Sequence, residues 1–303
     1  SAVTVSTFPS EGVYQAVNNL SYIAGTLQEQ PWQAGLSSGA ITCIKARLRR
    51  NSDGFWWNQF SKTWQSGAPY TVGTSGCSGV DSEALGMSVA QGTWSYTGNL
   101  PLIHSNLTNG NTYYLTTMAI DDADDVKNEE AWDVTSSTFV FDSSAPYTVM
   151  TNPVWGSTYS VSGLSIIQGT MEEEPTRTDA TKSSAGIRGV ELTIQRQDTG
   201  QFWDGSVWGS QVWLTTSAGG VGTWQRTTNL PAWEHNVSYW FVARSSDKAT
   251  NIEGAFEIKT DSITALFDLR AATASFTNFI SSTANQGPYV SSNTTLGPFY
   301  LNP

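Results

Sequence analysis

Three acidic stretches of the chain carry oxygen ligands of the kind that bind a metal cation. They are "FDSSAP" (141–146), "MEEEPTRTDATKSSAG" (171–186) and "SSDKATNIEG" (245–254). Carboxylates held close together repel one another unless a cation neutralises them, and six to eight oxygens in loose geometry suit Ca²⁺. The plain alternative is a solvated acidic surface, and no twelve-residue EF-hand pattern is present. Cation binding therefore requires a fold that brings these distant stretches to one place.

The chain is built from two copies of one unit. "GTWSYTGNLP" (92–101) returns as "GTWQRTTNLP" (222–231), and blocks on both sides of this pair also match between the two halves. Internal repetition of this kind indicates tandem domains. We predict a first repeat over residues 1–142 and a second over 143–269. Residues 270–303 are predicted to be the start of a third repeat or an assembly strand.

The local pattern predicts strands throughout. In "IKARLRR", Ile44, Ala46 and Leu48 alternate with Lys45 and other basic residues, so the apolar set is expected in the core and Lys45 in water. Turn signals such as "NSDG" and "SAGGVG" separate these runs. About seven short strands per repeat are typical of an antiparallel β-sandwich. "PYTV" (69–72) is predicted as the fourth strand, D, and residues 74–91 as an insertion in the first repeat.

Several motifs resemble the bacterial Ig-like repeats of large surface proteins and adhesins. They include "FWDG" (202–205), "VWLT" (212–215), "DKATN" (247–251) and "FDSSAP" (141–146), and Thr250 stands where the family usually has glycine. The resemblance implies an all-β fold: two tandem immunoglobulin-like β-sandwich domains and a C-terminal extended segment. It further implies modules that project or scaffold something at a microbial surface, and it does not imply an enzyme.

In an Ig-like sandwich the B–C loop, the F–G loop and the incoming linker meet at one end of the domain. The three acidic stretches occupy these places in the second repeat, which predicts a Ca²⁺ site at the domain junction with Asp142 and Asp247 as its central pair. The full predicted set in the second repeat is Asp142, Glu172, Glu173, Glu174, Asp179, Asp247 and Asn251, and the first repeat offers Asp121, Asp122 and Asp124.

The two cysteines both lie in the first repeat. Cys43 belongs to a predicted strand and Cys77 to the insertion at 74–91. Two interpretations stand, a disulfide that holds the insertion down and a pair of free thiols. A disulfide implies an oxidising, extracytoplasmic compartment.

The 13 tryptophans divide into repeated and unmatched positions. Trp57 and Trp94 recur as Trp203 and Trp224 beside turn glycines, which favours a structural role in the sandwich. The unmatched tryptophans fall in predicted loops and are candidates for contact with surface glycans or a partner subunit. They are Trp32, Trp132, Trp155 and Trp233.

Charge and motif content exclude several classes of function. A net charge of −11 disfavours nucleic-acid binding, no apolar run is long enough to span a membrane, and no catalytic motif accompanies the two histidines. We predict a non-enzymatic structural or adhesive module of an extracellular or cell-surface array: a stalk, a surface layer or a filament subunit. Its expected partners are copies of itself or further repeats. The alternatives are a carbohydrate- or protein-binding module and an accessory domain of a larger secreted enzyme.

Overall fold

The computed structural model describes most of both repeats. It describes residues 2–5, 15–17, 20, 22–28, 40–75, 77–83, 87–90, 92–98, 106–122, 127–133, 135–160 and 163–273. Every regular element in these residues is a strand, as the sequence predicts. No helix suited to crossing a bilayer occurs within them. Contacts divide the chain into two compact units, residues 1–269 and 270–303. The predicted C-terminal extended segment lies outside the described residues from 274 onward.

The first repeat is a sandwich of two sheets. One sheet has the strand order β1-β3-β10-β9, and the other has β2-β12-β11-β4-β5-β6, with β7 added to β4 and β8 added to β7. The strands are β1 Ala2–Val5, β2 Gln15–Val17, β3 Ile23–Gln28, β4 Ile41–Arg50, β5 Trp56–Asn58, β6 Thr63–Gln65, β7 Val72–Gly73, β8 Ser82–Glu83, β9 Met87–Ala90, β10 Thr93–Tyr96, β11 Asn111–Asp121 and β12 Thr135–Phe141.

The second repeat has the same plan. Its sheets run β13-β15-β21-β20 and β14-β23-β22-β16-β17-β18, with β19 added to β16. The strands are β13 Tyr147–Asn152, β14 Thr158–Tyr159, β15 Ile167–Glu172, β16 Ile187–Arg196, β17 Phe202–Trp203, β18 Trp208–Gly209, β19 Leu214–Thr215, β20 Ser217–Gly220, β21 Thr223–Arg226, β22 Val237–Asp247 and β23 Ser262–Phe267.

The strand order is that of an immunoglobulin-like sandwich, which confirms the predicted fold class. Among the described strands, neighbours are antiparallel except in three short pairs, β2 with β12, β14 with β23, and β7 with β8, which are parallel. The chain therefore folds as two tandem Ig-like β-sandwiches.

Each repeat has its own apolar core with a tryptophan inside it. Trp94 is 2% exposed in the first core and Trp224 is 1% exposed in the second. The inward residues of β4 are Ile44, Ala46 and Leu48, as the alternation predicts. Burial of such aromatic and branched side chains is the main stabilising contribution to a sandwich.

The prediction for strand D is wrong. Val72–Gly73 pairs with β4, at Lys45 and Ala46, and the strand beside β10 is β9, which lies within the predicted insertion. Alternation of apolar residues marks a segment as a strand but does not select its partner. In the second repeat, β19 and β20 correspond to β7 and β9 and are separated by Thr216 alone. Thr74 corresponds to Thr216, so the inserted residues of the first repeat are 75–86.

The insertion covers the outer face of β4 and is joined to it by a disulfide between Cys43 and Cys77. Lys45, expected in water, is only 6% exposed. Its Nζ would lie 3.6 Å from a Cβ built on Gly79 of this segment, and it lies 3.8 Å from Glu129 Oε1. Thr74 N donates to Ile44 O at 3.0 Å, and Cys43 packs with Met118 and Ile120. The first repeat therefore carries a second, small apolar cluster outside its sandwich.

Replacing both cysteines should destabilise the first repeat alone. The disulfide closes a loop with a sequence separation of 34 residues, and closing a loop of this size in the unfolded chain stabilises the folded state by about 4 kcal/mol. Cys43→Ser with Cys77→Ser should lower one of two calorimetric unfolding transitions and leave the other in place. Equal shifts of both transitions would contradict this assignment.

Candidate metal centre

The two repeats touch directly through the 108–111 turn of the first and the 175–185 loop of the second. Ser183 N donates to Gly110 O at 2.9 Å, and Lys182 Nζ donates to Asn111 Oδ1 at 3.2 Å. Gly110 has φ +75°, and a Cβ built on it would lie 2.7 Å from Pro175 Cγ. The two repeats can therefore approach this closely only because residue 110 is glycine.

Gly110→Ala should loosen the joint without disturbing either core. The added methyl group meets Pro175 and Lys182, and the left-handed backbone adds strain, together worth about 1–2 kcal/mol. Amide hydrogen exchange should speed up at Ser183 and Ala185 while amides in β11 and β22 keep their protection. Gly92→Ala, with similar positive φ but no atom near the new methyl group, is the matched control. Unchanged exchange at Ser183 would refute the role given to Gly110.

Three carboxylates converge beside this contact. Asp142 is the first residue after β12, Glu173 the first after β15, and Asp247 the last of β22. One carboxylate oxygen from each lies within 4.8 Å of the other two, the one such group of potential metal ligands among the described residues. Asp142 comes from the first repeat and the other two from the second, so the cluster spans the joint.

Neighbouring donors hold the two aspartates in place. Asp142 Oδ2 accepts from Ala185 N at 2.7 Å, and Asp142 Oδ1 accepts from Ser144 N at 3.0 Å. Asn251 Nδ2 donates to Asp247 Oδ2 at 2.7 Å and to Asp142 O at 2.9 Å. Asn251 therefore connects the two aspartate-bearing segments. A small apolar cluster of Val140, Ala185 and Ala249 packs at the same joint.

Glu173 is the exception, because both of its carboxylate oxygens are buried and neither has a hydrogen-bond partner among the described residues. Burial, and then the charges of Asp247 and Asp142, raise the pKa of Glu173 to about 8. Burial likewise raises the pKa of Asp142 to about 6 against the donors that stabilise its charge, and it also raises the pKa of Asp247. A buried, unpaired carboxylate facing two others is unfavourable without a proton or a cation.

The donor set fits Ca²⁺. All three ligands are hard carboxylate oxygens, with no histidine or cysteine among them, which suits Ca²⁺ and not zinc. Two oxygens bound to one Ca²⁺ at about 2.4 Å lie at most about 4.8 Å apart, and the spacing of these oxygens stays within that limit. Asp142, Glu173 and Asp247 would hold the ion, and the otherwise unpaired oxygens of Glu173 would gain a partner.

The other predicted acids of the second repeat are engaged elsewhere. Glu172 is exposed at the end of β15, and Glu174 pairs with Arg177 at 2.6 Å. Asp179 Oδ1 accepts from the backbone and hydroxyl of Thr181. Of the three consecutive glutamates, the structure therefore places one in the cluster.

The first repeat copies part of this arrangement at its own far end. Asp121 occupies the place of Asp247 and accepts from Asn128 N at 2.9 Å and Asn128 Nδ2 at 2.7 Å, as Asp247 does from Asn251. Asp122 is instead bound to Ala40 N at 2.6 Å. Asp124 lies outside the described residues.

Two of the four tryptophan candidates are covered. Trp233 stacks on Phe267 with ring centroids 4.5 Å apart and donates Nε1 to Leu164 O at 2.9 Å, so it packs in the core although it was predicted in a loop. The face of Trp132 is covered by the Arg47 guanidinium at 3.6 Å. Trp155 is 40% exposed, and Trp32 lies outside the described residues. Trp132 and Trp233 thus make packing contacts while staying partly exposed, and their contact with a glycan or partner stays a prediction.

Sequence reasoning missed the residues that fix the joint. Gly110, Pro175 and Ala185 carry no charge, and the only signal for the first of them was the turn pattern "TNG". Glu253 lies in the acidic stretch 245–254. It is 7% exposed, and its two carboxylate oxygens accept from Thr148 N and from Ser245, which ties β13 to β22 beside the joint.

Comparison with known proteins gives structural likeness only. No family model and no curated protein matches the chain. Among solved structures, fibronectin(III)-like modules of Clostridium thermocellum CbhA match at 11% identity and TM-score 0.37, over 91% of this chain and all of that one. The tetra-tandem repeat in the extending region of a large adhesion protein matches at 16% identity and TM-score 0.28, over 88% and 48%. Chimeric titin Z1Z2 matches at 9% identity and TM-score 0.29, over 89% and 97%.

Proposed function

We propose that this chain is a non-enzymatic structural or adhesive module of a tandem Ig-like array at the cell surface or outside the cell. In this proposal Ca²⁺ bound by Asp142, Glu173 and Asp247 stiffens the joint between the repeats. The observation that carries it is the position of the three carboxylates, which come from both repeats and converge at their contact. The Cys43–Cys77 disulfide supports an oxidising compartment.

The mechanical consequence follows from how tandem domains behave. Contacts between domains in one chain are modest, so two sandwiches joined by a short linker move relative to each other unless something fixes them. Without a cation, the clustered negative charges oppose closure of the joint. With Ca²⁺, ligands from both repeats share one ion, so opening the joint requires breaking its coordination. Further repeats or copies of the chain are the partners this rod-like module would have.

The test is a distance distribution between the repeats. Phe60 is 83% exposed on the first repeat and Val207 59% exposed on the second, so Phe60→Cys with Val207→Cys provides two label sites while the native cysteines stay paired. Spin labels read by pulsed electron resonance should give a broad distribution in chelator and a narrow one in Ca²⁺. The same labels with Glu173→Gln should stay broad in both. Equal widths with and without Ca²⁺ in the wild-type background would refute the proposal.

A further inference from the structure

A groove of about 530 Å³ opens on the outer face of the second repeat. It lies along the first half of β16, between β22 and the Thr215–Thr216 segment, and Ile252 lies at its rim, 53% exposed. Its lining mixes charged, hydroxyl and apolar side chains, including Arg188, Glu191 and Arg244. Buried Asp247 of the cation cluster lies at one end of this groove.

The edge of β16 is only partly paired here. β19 pairs with Glu191 and Leu192, and Thr216 donates to Val190 O through its backbone N at 3.1 Å and its hydroxyl at 2.8 Å. In the part of the chain that the structure describes, no strand pairs with Ile187–Gly189 on that side. An unpaired strand edge beside a groove is a template for adding an extended peptide.

The first repeat fills the equivalent place with its own chain. There Thr74 N donates to Ile44 O, as Thr216 N does to Val190 O, and the chain then continues through Cys77 to β8, parallel to β7. Asp81 holds this segment down, since its N donates to Thr71 O at 2.9 Å and its carboxylate accepts from Thr71 N at 2.6 Å. The segment carries Asp81 and Glu83, is anchored on Cys43 through Cys77, and pairs through β8 with β7 and not with β4.

The second repeat leaves that place open. Gly189 corresponds to Cys43, and a Cβ built on Gly189 would meet no atom within 4 Å, whereas Cys43 carries a disulfide. β20 follows Thr216 at once, so no segment of this repeat takes the place of residues 75–83. The groove therefore matches in position the segment that the first repeat supplies for itself.

The charge of the groove favours a carboxylate-bearing occupant. Arg244 is neutralised by Glu191: Nε and Nη2 of Arg244 donate to Glu191 Oε2 at 2.9 Å and 2.7 Å. The Arg244 guanidinium also lies over the ring of Trp213. Arg188 is exposed, and none of the carboxylates within the described ranges forms an ion pair with it. An exposed, unpaired arginine in a chain of net charge −11 is a docking point for an acidic partner.

We propose that this groove binds an acidic polypeptide segment of a partner protein, which lies against β16 and β19 as residues 77–83 lie against β4 and β7 in the first repeat. One difference between the repeats sets the selectivity. The first repeat has Gly73, where a Cβ would lie 2.6 Å from Val80 Cγ1, but the second has Thr215 in that position. The partner segment must therefore have a small residue where the insertion has Val80.

The test uses the insertion itself as the probe. A peptide with the sequence of residues 74–83 and Val80→Ala carries its Cys77 as a mixed disulfide with thionitrobenzoate. The thiolate of Gly189→Cys attacks the peptide sulfur, a protein–peptide disulfide forms, and thionitrobenzoate leaves and is read by absorbance. Gly209→Cys is the control, since Gly209 is exposed, away from the groove, and equally free of neighbours. Each rate is normalised to that cysteine's reaction with the reagent lacking peptide.

Docking predicts a normalised rate about tenfold higher at Gly189→Cys than at Gly209→Cys, in chelator and in Ca²⁺ alike. Adding Arg188→Gln, or changing Asp81 and Glu83 of the peptide to their amides, should remove most of that preference. A peptide that keeps Val80 should react well only when Thr215→Gly is added. Equal normalised rates at the two cysteines overturn the proposal, as does a preference that survives both charge changes. If the peptide reacts equally at both cysteines but an oligosaccharide slows the reaction of Gly189→Cys with the reagent, the occupant is a glycan and the proposal is overturned. Because the readout does not require Ca²⁺, failure here is distinguishable from failure of the proposed joint.

Discussion

Adding Ca²⁺ to the chelator-treated protein should raise its melting temperature, and Glu173→Gln should abolish that rise. An ion that binds only the folded state stabilises it by about 4 kcal/mol when its free concentration is about 1,000 times Kd. The three carboxylates meet only in the folded chain, because Asp142 follows β12 of the first repeat whereas Glu173 and Asp247 belong to the second. Titration calorimetry on the same samples should give one Ca²⁺ per chain at this site.

Glu172→Gln is the matched control for that experiment. It removes the same charge one residue away, but Glu172 is exposed and outside the cluster. The Ca²⁺ response should survive Glu172→Gln and be lost in Glu173→Gln and Asp247→Asn. If Glu172→Gln and Glu173→Gln weaken the response equally, the effect comes from general acidity of the loop and not from a built site.

The metal-free protein should become less stable as the pH rises from about 4 to about 8. Burial raises the folded-state pKa of Glu173 to about 8 and of Asp142 to about 6, whereas carboxyls in the unfolded chain titrate near about 4. The folded state thus holds more protons than the unfolded state across this window, so the free energy of unfolding falls with rising pH. Together the two groups should lower the free energy of unfolding by about 4 kcal/mol across this pH range, after allowance for the partial exposure of Glu173.

The quantity to measure is the difference in free energy of unfolding between wild type and Glu173→Gln. Carboxylates with a lowered pKa, such as Asp53, make the protein less stable at low pH, and this effect cancels in the difference. Chemical denaturation in chelator should show Glu173→Gln more stable than wild type at pH 8 and nearly equal to it at pH 4. Saturating Ca²⁺ should reverse the order at pH 8. A difference that does not change with pH would falsify the electrostatic account of this cluster.

Local sequence pattern was enough for the strands because alternation and turn residues act within a few positions. The duplicated core tryptophans, Trp94 and Trp224, were placed correctly for the same reason, since a repeated position next to a turn glycine has the same surroundings in both copies. Which strands pair and which side chains pack together does not depend on local sequence. The strand predicted as D joined the opposite sheet, and Trp233 packs on Phe267, far away in sequence.

The selection of Glu173 shows where sequence reasoning ended. Glu172, Glu173 and Glu174 are chemically identical and consecutive, so composition cannot rank them. The register of β15 against β13, with Tyr147 opposite Glu172, fixes which of them follows the last paired residue. Only that geometry places one carboxylate beside Asp142 and Asp247 and leaves its neighbours to Arg177 and solvent.

By itself, the sequence determined a duplicated all-β chain with acidic segments at the loops of one domain end, because period-two alternation, turn residues and repetition are all readable along the chain. The tertiary structure decided which carboxylates meet, how Gly110 closes the joint, and that the second repeat leaves uncovered the place on β16 where the first repeat carries its disulfide-bonded insertion on β4. Those outcomes depend on strand register and on contacts between residues more than 100 positions apart in some cases, such as Asn251 with Asp142. No local pattern encodes a distance of that kind.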